Sequence, residues 1–145
     1  MTATTDVTTP TDTEIRLERV FDAPRDRVFA VWTDPQLIPE WWGNDTVVEE
    51  MDVRAGGRWR FRTEYGAVEG EFREVVAPER IVQTFQNHLQ TLEFEDLGER
   101  TKLTQTMLFA TAEERDTTMQ YGVEEGAKGG FARVDAVLQK LAARA

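Results

Sequence analysis

Apolar residues alternate with charged and polar residues through much of this chain, at the spacing of half-buried β-strands. The first such segment, EIRLERVF, begins at Glu14 and precedes Pro24. Further segments follow between turn sequences: TVVEEMDV, RWRFRTEY, AVEGEFREVV, RIVQTFQ, QTLEFED and TKLTQTMLF. Because short turns join antiparallel neighbours whereas parallel neighbours need long crossovers, this pattern predicts an antiparallel sheet.

Two short helices are predicted between the first two strands. The segment from Arg25 carries apolar residues at helical spacing. A second helix is predicted with its N-cap at Asp34, a first-turn proline at Pro35 and an end at Gly43.

The C-terminal segment changes to the 3.6-residue period of an amphipathic helix. Thr111 and Glu114 form a capping-box pattern before it. Glycines weaken its first half, so a kink or a division into two helices is predicted near Gly122. The apolar stripe consists of Met119, Val123, Ala127, Phe131, Val134, Leu138 and Leu141.

This order of elements predicts an α+β fold, in which a curved antiparallel sheet of about six to seven strands packs around a long C-terminal helix, with two short helices after strand 1. The length of 145 residues fits one domain, predicted over residues 14–145. Residues 1–13, MTATTDVTTPTDT, are threonine-rich and lack an apolar run. They are predicted to form a disordered tail.

Composition excludes several kinds of chemistry. The chain has neither cysteine nor serine, which excludes disulfides, thiolate zinc sites and Ser-His-Asp catalysis. With one histidine and no loop of suitable ligand spacing, we expect no metal and no cofactor. The net charge of −10 disfavours nucleic acid and anionic membranes as partners. Because no signal-peptide pattern or membrane-length apolar run is found, a cytoplasmic protein is expected.

The predicted inner face of the sheet is apolar with a few polar insertions, as in many ligand pockets. Its polar members are Gln83, Gln105, Thr63 and Glu74. A buried amide without a partner costs about 1–3 kcal/mol, so such groups should bond to protein, water or a ligand. Alternatively, each of these side chains lies near a strand end and is exposed to water, outside any pocket.

Three residues are candidates for acid–base chemistry: Glu74, Glu49 and His88. His88 lies in QNHLQ, which resembles a turn, so a surface histidine is favoured over a general base. The three arginines of RWRFR are expected to face water and pair with acids, with anion binding as the alternative.

Five segments carry a family resemblance: RVFDAPRDRVFAVWTDPQLIPEWWG, GGRWRFR, GEFREVVAPERIVQTF, TLEFEDLGERTKLTQTMLF and YGVEEGAKGGFARVDAVLQKL. On these segments, about residues 14–141, the chain resembles the START-like (SRPBCC, Bet v 1-like) superfamily, and within it bacterial proteins similar to the C-terminal domain of the activator of Hsp90 ATPase. The resemblance implies a helix-grip fold, in which the sheet wraps the last helix around an internal cavity open at one end. Residues 14–145 would then be a START-like domain.

In that fold the adjacent rings of Trp41 and Trp42 point in different directions, so one can seal the core while the other lines the cavity. Which ring does which is left open. Relatives with this pattern carry a tryptophan at the position of Ala127, so unfilled volume is predicted there. The predicted ligand-binding residues are Trp41, Trp42, Trp59, Phe61, Phe72, Gln83, Phe85, Gln105, Met107, Met119, Val123, Ala127 and Phe131.

The resemblance implies a binding module that encloses a small apolar or aromatic molecule. One alternative is a cyclase- or aromatase-like enzyme acting on a polyketide-type substrate. Another is a chaperone-interaction protein, but an Hsp90-type chaperone is the less favoured partner because the activator's other domain is not among these residues.

Overall fold

The computed structural model describes residues 4–43 and 45–144. Residues 1–3 of the predicted tail lie outside this range. The strands of the described part are β1 (Asp6–Thr8), β2 (Glu14–Phe21), β3 (Val47–Met51), β4 (Arg58–Thr63), β5 (Gly66–Val76), β6 (Arg80–Phe85), β7 (His88–Asp96) and β8 (Thr101–Phe109). The helices are α1 (Arg25–Thr33), α2 (Ile38–Trp42), α3 (Ala112–Gln120) and α4 (Val123–Arg144).

The strands form one antiparallel sheet in the order β1-β2-β8-β7-β6-β5-β4-β3. From β3 to β8 each strand pairs with the next in sequence, so this part is a meander. The chain therefore crosses between β2 and β3, near opposite edges of the sheet, and α1 and α2 lie on that crossover. Both helices pack against α4. This confirms the predicted α+β helix-grip architecture.

Strand β1 corrects the prediction of a disordered tail over residues 6–8. Val7 pairs with Leu17 of β2 and is partly buried against the core. Threonine and valine favour strands, so an edge strand is compatible with this sequence. The guanidinium of Arg115 in α3 holds the following loop by donating to the carbonyl oxygens of Thr11 and Glu14. The strand brings the sheet to eight strands in the described part of the chain, beyond the predicted six to seven.

Strand β5 contains a bulge between Phe72 and Glu74. Phe72 is buried, but after the bulge Val75 packs against the core and Glu74 is exposed. The prediction that Glu74 lies on the inner face is wrong, because the extra residue reverses the alternation of side chains. Its carboxylate instead pairs with Arg80 at 3.3 Å.

The predicted division of the C-terminal helix is confirmed. Helix α3 begins after Thr111, whose hydroxyl oxygen accepts a hydrogen bond from the backbone N–H of Glu114. Gly122, with φ of +86°, separates α3 from α4. A left-handed conformation of this kind favours glycine, which explains why the break occurs here.

The beginning of α2 differs from the prediction. Asp34 caps the C-terminal end of α1, where its backbone N–H donates to the carbonyl of Ala30. Its side chain accepts from the backbone N–H of Gln36 and so forms a turn. Helix α2 begins only at Ile38.

The core lies between the inner face of the sheet, α1 and the C-terminal two-thirds of α4. Phe131, Val134 and Leu138 of the predicted stripe are buried, and Val137 joins them. Val123, Ala127 and Leu141 are partly buried against the same core. No helix within the described ranges is long and apolar enough to span a membrane.

Candidate functional site

A cavity of about 260 Å³ lies between the inner face of the sheet, helix α2 and the N-terminal half of α4. Twelve of the thirteen residues predicted from the sequence contribute to its lining. The exception is Met119, which lies in α3 and packs against the core instead. Residues that the sequence pattern did not indicate also line the cavity: Leu17, Trp32, Ile38, Met51, Gln90, Gly126 and Gly130.

Both adjacent tryptophans line the cavity, and their rings contact different neighbours. The indole N–H of Trp41 donates to the carbonyl of Val31 at 3.0 Å, and its ring lies 5.1 Å from that of Trp32. Trp41 therefore fixes α2 onto α1. The ring of Trp42 faces the sheet, where it stacks on Phe85 at 5.9 Å and meets Phe61 edge-on at 5.0 Å.

Trp59 continues this aromatic wall along β4. Its ring centroid lies 4.9 Å from that of Phe61 and 5.0 Å from that of Phe85. Its indole N–H is buried and has no hydrogen-bond partner among the described residues. The nitrogen lies over Gly70, where a Cβ atom would come within 2.7 Å of it and within 1.9 Å of the Thr84 carbonyl oxygen. The absence of a side chain at Gly70 thus allows the indole to lie against β5.

A chain of hydrogen bonds runs across β6 and β7 at the polar part of the lining. Gln83 and Gln90 are cross-strand partners, and the amide nitrogen of Gln83 donates to the amide oxygen of Gln90 at 3.1 Å. The amide nitrogen of Gln90 lies 3.1 Å from Nε2 of His88. Gln90 is almost completely buried, so these bonds satisfy an amide that would otherwise be costly to bury.

His88 corrects the prediction of a surface turn. It is the first residue of β7, because the turn contains only Gln86 and Asn87. Its ring stacks on Phe85 at 5.2 Å and lies 4.8 Å from Phe109. Burial lowers the pKa of His88 from 6.5 to about 4, since it disfavours the charged imidazolium. His88 is therefore neutral near pH 7, and it does not belong to the cavity lining.

The remaining predicted polar residues have different environments. Gln105 lines the cavity and takes part in none of the side-chain hydrogen bonds found among the described residues. Thr63 lies at the β4–β5 hairpin, where its hydroxyl donates to the carbonyl of Gly66 at 2.8 Å. Thr63 is thus near a strand end, as the alternative interpretation proposed.

The first half of α4 leaves open space on the cavity side. Gly126 and Gly130 line the cavity, and a Cβ atom added to either would meet no neighbouring atom within 4 Å. Ala127 lies between them in the lining. The space around this turn agrees with the unfilled volume predicted at Ala127.

Farther along the helix, the guanidinium of Arg133 donates to the carbonyl of Trp41 at 2.7 Å and fastens α2 to α4.

The residues that line the cavity within the described ranges carry no charged side chain. Glu49 pairs on the outer face with Arg60 at 2.9 Å, as expected for the arginines of RWRFR. Glu74 pairs with Arg80, and His88 is separated from the cavity by Gln90 and Phe85. The three acid–base candidates thus lie outside the lining. Within the described part of the chain, no group of three or more His, Cys, Asp or Glu residues is arranged to hold a metal ion.

Comparison with known proteins gives a family match and many structural matches. The model of a family described as Activator of Hsp90 ATPase homolog 1-like protein matches residues 22–140. No curated protein sequence matches the chain.

Solved bacterial structures share the fold over nearly the full chain. A Rhodobacter sphaeroides protein is 20% identical, with a TM-score of 0.85 over 95% of this chain and 99% of that one. Protein Ms6760 from Mycobacterium smegmatis is 25% identical, with a TM-score of 0.84 over 97% of this chain and 99% of that one. CalU16 from Micromonospora echinospora is 19% identical, with a TM-score of 0.66 over 99% and 91% of the two chains.

Proposed function

We infer that this chain, which belongs to the family of Activator of Hsp90 ATPase homolog 1-like proteins, is a binding module that encloses a small apolar or aromatic molecule. The observation that carries this proposal is the lining of the cavity. Among the described residues that line it, eight are aromatic, and the polar side chains are the three amides of Gln83, Gln90 and Gln105. Apolar walls with a few polar groups that orient the guest are the usual composition of a small-molecule site.

The size and lining of the cavity limit the guest. A volume of about 260 Å³ suits a compact molecule rather than a long chain. Burial of apolar surface contributes about 25 cal/mol per Å², so an aromatic guest that fills the space would be bound mainly by this term. An ionised guest would lose its hydration without meeting an opposite charge in the described lining, which disfavours it.

The position of the acid–base candidates supports binding rather than cyclisation. A cyclase would need an acid or base within hydrogen-bond reach of its substrate. Glu49 and Glu74 form ion pairs on the outer face of the sheet. The ring nitrogens of His88 lie against Asn87 and Gln90.

A dye titration tests the proposal directly. An environment-sensitive apolar dye should bind the folded protein at about one site per chain and be displaced by aromatic compounds. Native mass spectrometry of gently purified protein should in parallel reveal any co-purifying small molecule. Failure of the dye to bind at concentrations that saturate known cavity proteins would contradict the proposal.

Substitution Ala127→Trp places a large ring in the open volume beside Gly126 and Gly130. We expect it to raise the melting temperature, because the ring fills open volume. It should also weaken dye binding by about tenfold or more, because the ring occupies the space of the guest. Ala132→Trp is the matched control, because Ala132 lies on the exposed side of the same helix. A lower melting temperature with undiminished dye binding would show that the guest does not lie under Ala127.

A further inference from the structure

We propose that His88, although outside the cavity lining, sets the direction of the Gln83–Gln90 hydrogen bonds and thereby makes the cavity select an uncharged aromatic molecule that carries a hydroxyl group. The proposal deepens the binding function inferred above and rests on it. His88 is assigned the role of a positioning residue, which acts through Gln90 and Gln83.

The first step is the protonation pattern of the imidazole. Nδ1 of His88 lies 3.3 Å from the side-chain oxygen of Asn87, and Nε2 lies 3.1 Å from the amide nitrogen of Gln90. A neutral imidazole has one N–H donor and one acceptor nitrogen. With its hydrogen on Nδ1 facing the Asn87 oxygen, the ring offers Nε2 as an acceptor to Gln90.

The second step is the orientation of the two amides. Because Gln90 donates from its nitrogen to His88, its oxygen points back toward β6 and accepts from the amide nitrogen of Gln83 at 3.1 Å. The amide oxygen of Gln83 then lies at the end of this series of hydrogen bonds, and no hydrogen bond to it is found among the described residues. Gln83 lines the cavity, so this oxygen is an acceptor available to a guest.

The third step is the chemistry that such an acceptor recognises. A carbonyl oxygen accepts hydrogen bonds from O–H or N–H groups and repels other lone pairs. A phenol-type hydroxyl donates to it, whereas an ether of the same shape does not. A carboxylate would place negative charge near the oxygen, and the described lining holds no cation to balance it.

The ring of His88 is held in place for this role. It stacks nearly parallel to Phe85, with 20° between the planes, and lies against Phe109 on the next strand. This aromatic contact on two sides restricts rotation of the imidazole, so Nε2 stays directed at Gln90.

A set of three matched naphthalenes tests the proposal. The affinities of 2-naphthol, 2-methoxynaphthalene and naphthalene are measured at neutral pH by displacement of the same dye. We expect 2-naphthol to bind about fivefold more tightly than 2-methoxynaphthalene, as one hydrogen bond would give. Equal affinities would overturn the proposal. Failure of all three to displace the dye would instead contradict the binding function itself.

Variants then test the role of His88. His88→Phe keeps an aromatic ring between Phe85 and Phe109 but removes the acceptor nitrogen. The affinities for 2-naphthol and 2-methoxynaphthalene should therefore become about equal, while naphthalene binding is unchanged. His88→Gln, whose carbonyl can accept from Gln90, should restore the preference. Leu108→Phe, at an exposed position of β8, is the control and should retain the preference for 2-naphthol over 2-methoxynaphthalene.

A second variant, which breaks the hydrogen-bonded series at another residue, keeps the test informative if His88→Phe does not fold. Gln90→Met interrupts the bonds between His88 and Gln83 and should also remove the preference. If the preference survives in whichever of these variants folds, His88 does not set the selectivity. A loss of affinity for all three naphthalenes in equal proportion would also overturn the proposal, because it would indicate a purely structural role.

Discussion

At the scale of single residues, Gly70 and Gly126 differ in the space that each leaves for a side chain. A methyl group at Gly70 would lie 1.9 Å from the Thr84 carbonyl oxygen, which belongs to the backbone of β6 and can move away only if the strand shifts. At Gly126 the same group would meet nothing within 4 Å. The two positions therefore give opposite expectations for the same substitution.

We expect Gly70→Ala to destabilise the protein by about 3 kcal/mol or more, because the backbone of β5 or β6 must shift. Gly126→Ala should stabilise it by up to about 1 kcal/mol, the difference between glycine and alanine within a helix. Urea unfolding curves of both variants and the parent protein measure these changes. Similar stabilities for the two variants would contradict the geometry at Gly70.

The protonation of His88 gives the protein a pH dependence. Its pKa is about 4 in the folded chain and 6.5 when exposed, so the unfolded state binds more protons between these values. Stability should therefore fall as pH decreases from 6.5 to 4, by about 2 kcal/mol after allowance for the partial exposure of the ring.

Carboxylates also titrate in this window, so the measurement is a comparison with His88→Phe. Unfolding free energies of the two proteins at pH 7 and pH 4 should diverge, with the parent protein losing more on acidification. Parallel losses in the two proteins would show that His88 is not the group responsible.

Single residues also show where the sequence pattern was insufficient. Alternation placed Trp59, Phe61 and Phe72 on the inner face, and the structure agrees. Glu74 was misplaced because a bulge cannot be recognised from alternation alone. His88 was misplaced because a two-residue turn draws it into β7, whereas a polar run such as QNHLQ resembles a longer loop.

At the scale of elements, a buried ion pair joins β2 to α4. The guanidinium of Arg19 on the inner face of β2 bonds both carboxylate oxygens of Asp135, and it also donates to the carbonyl of Phe131 at 3.3 Å. The carbon of the guanidinium lies 4.6 Å from the centre of the Phe21 ring. The side chain of Arg19 is 5% exposed and that of Asp135 is 35% exposed.

This difference in exposure predicts unequal effects of removing each partner. Asp135→Ala should cost about 3 kcal/mol, because it leaves a buried cation without its partner. Arg19→Met should cost about 1 kcal/mol or less, since methionine fills similar volume and Asp135 still reaches water. Urea unfolding of both single variants and the double variant measures this. A larger cost for Arg19→Met than for Asp135→Ala would contradict the explanation.

The elements themselves were largely predictable. Period-two segments became β2 through β8, and the apolar stripe became α4 with its break at Gly122. Strand β1 was not predicted, because three residues in a threonine-rich segment carry too little apolar signal. Arg19 was also not predicted as an inward residue, because its burial depends on Asp135, which is 116 residues away in the sequence.

At the scale of the whole molecule, the cavity results from the crossover between β2 and β3. That connection carries α1 and α2 across the sheet, where they meet α4. The lining residues on β4, β5, β6 and β8 could be predicted because each lies on a periodic face. Trp32, Ile38 and Leu17 could not, because the sequence gives no measure of how closely α1, α2 and β2 approach the open volume.

The positions of the tryptophans have an optical consequence. The chain contains four tryptophans, and Trp32, Trp41, Trp42 and Trp59 all line the cavity. The ultraviolet-excited emission of this protein therefore originates almost wholly at one place. A guest that absorbs near the indole emission, as extended aromatic molecules do, should quench nearly all of that emission by energy transfer, because every indole lines the cavity that the guest would fill.

We therefore expect such a guest to quench the tryptophan emission in a single saturable phase. No residual emission from indoles remote from the guest should remain at saturation. Stopped-flow recording of the emission would then follow entry and release of the guest without any attached label. A residual emission of about one quarter at saturation would indicate that one indole is remote from the guest. The intrinsic tryptophan emission of this protein should thus report directly on occupancy of the cavity between the sheet and the helices.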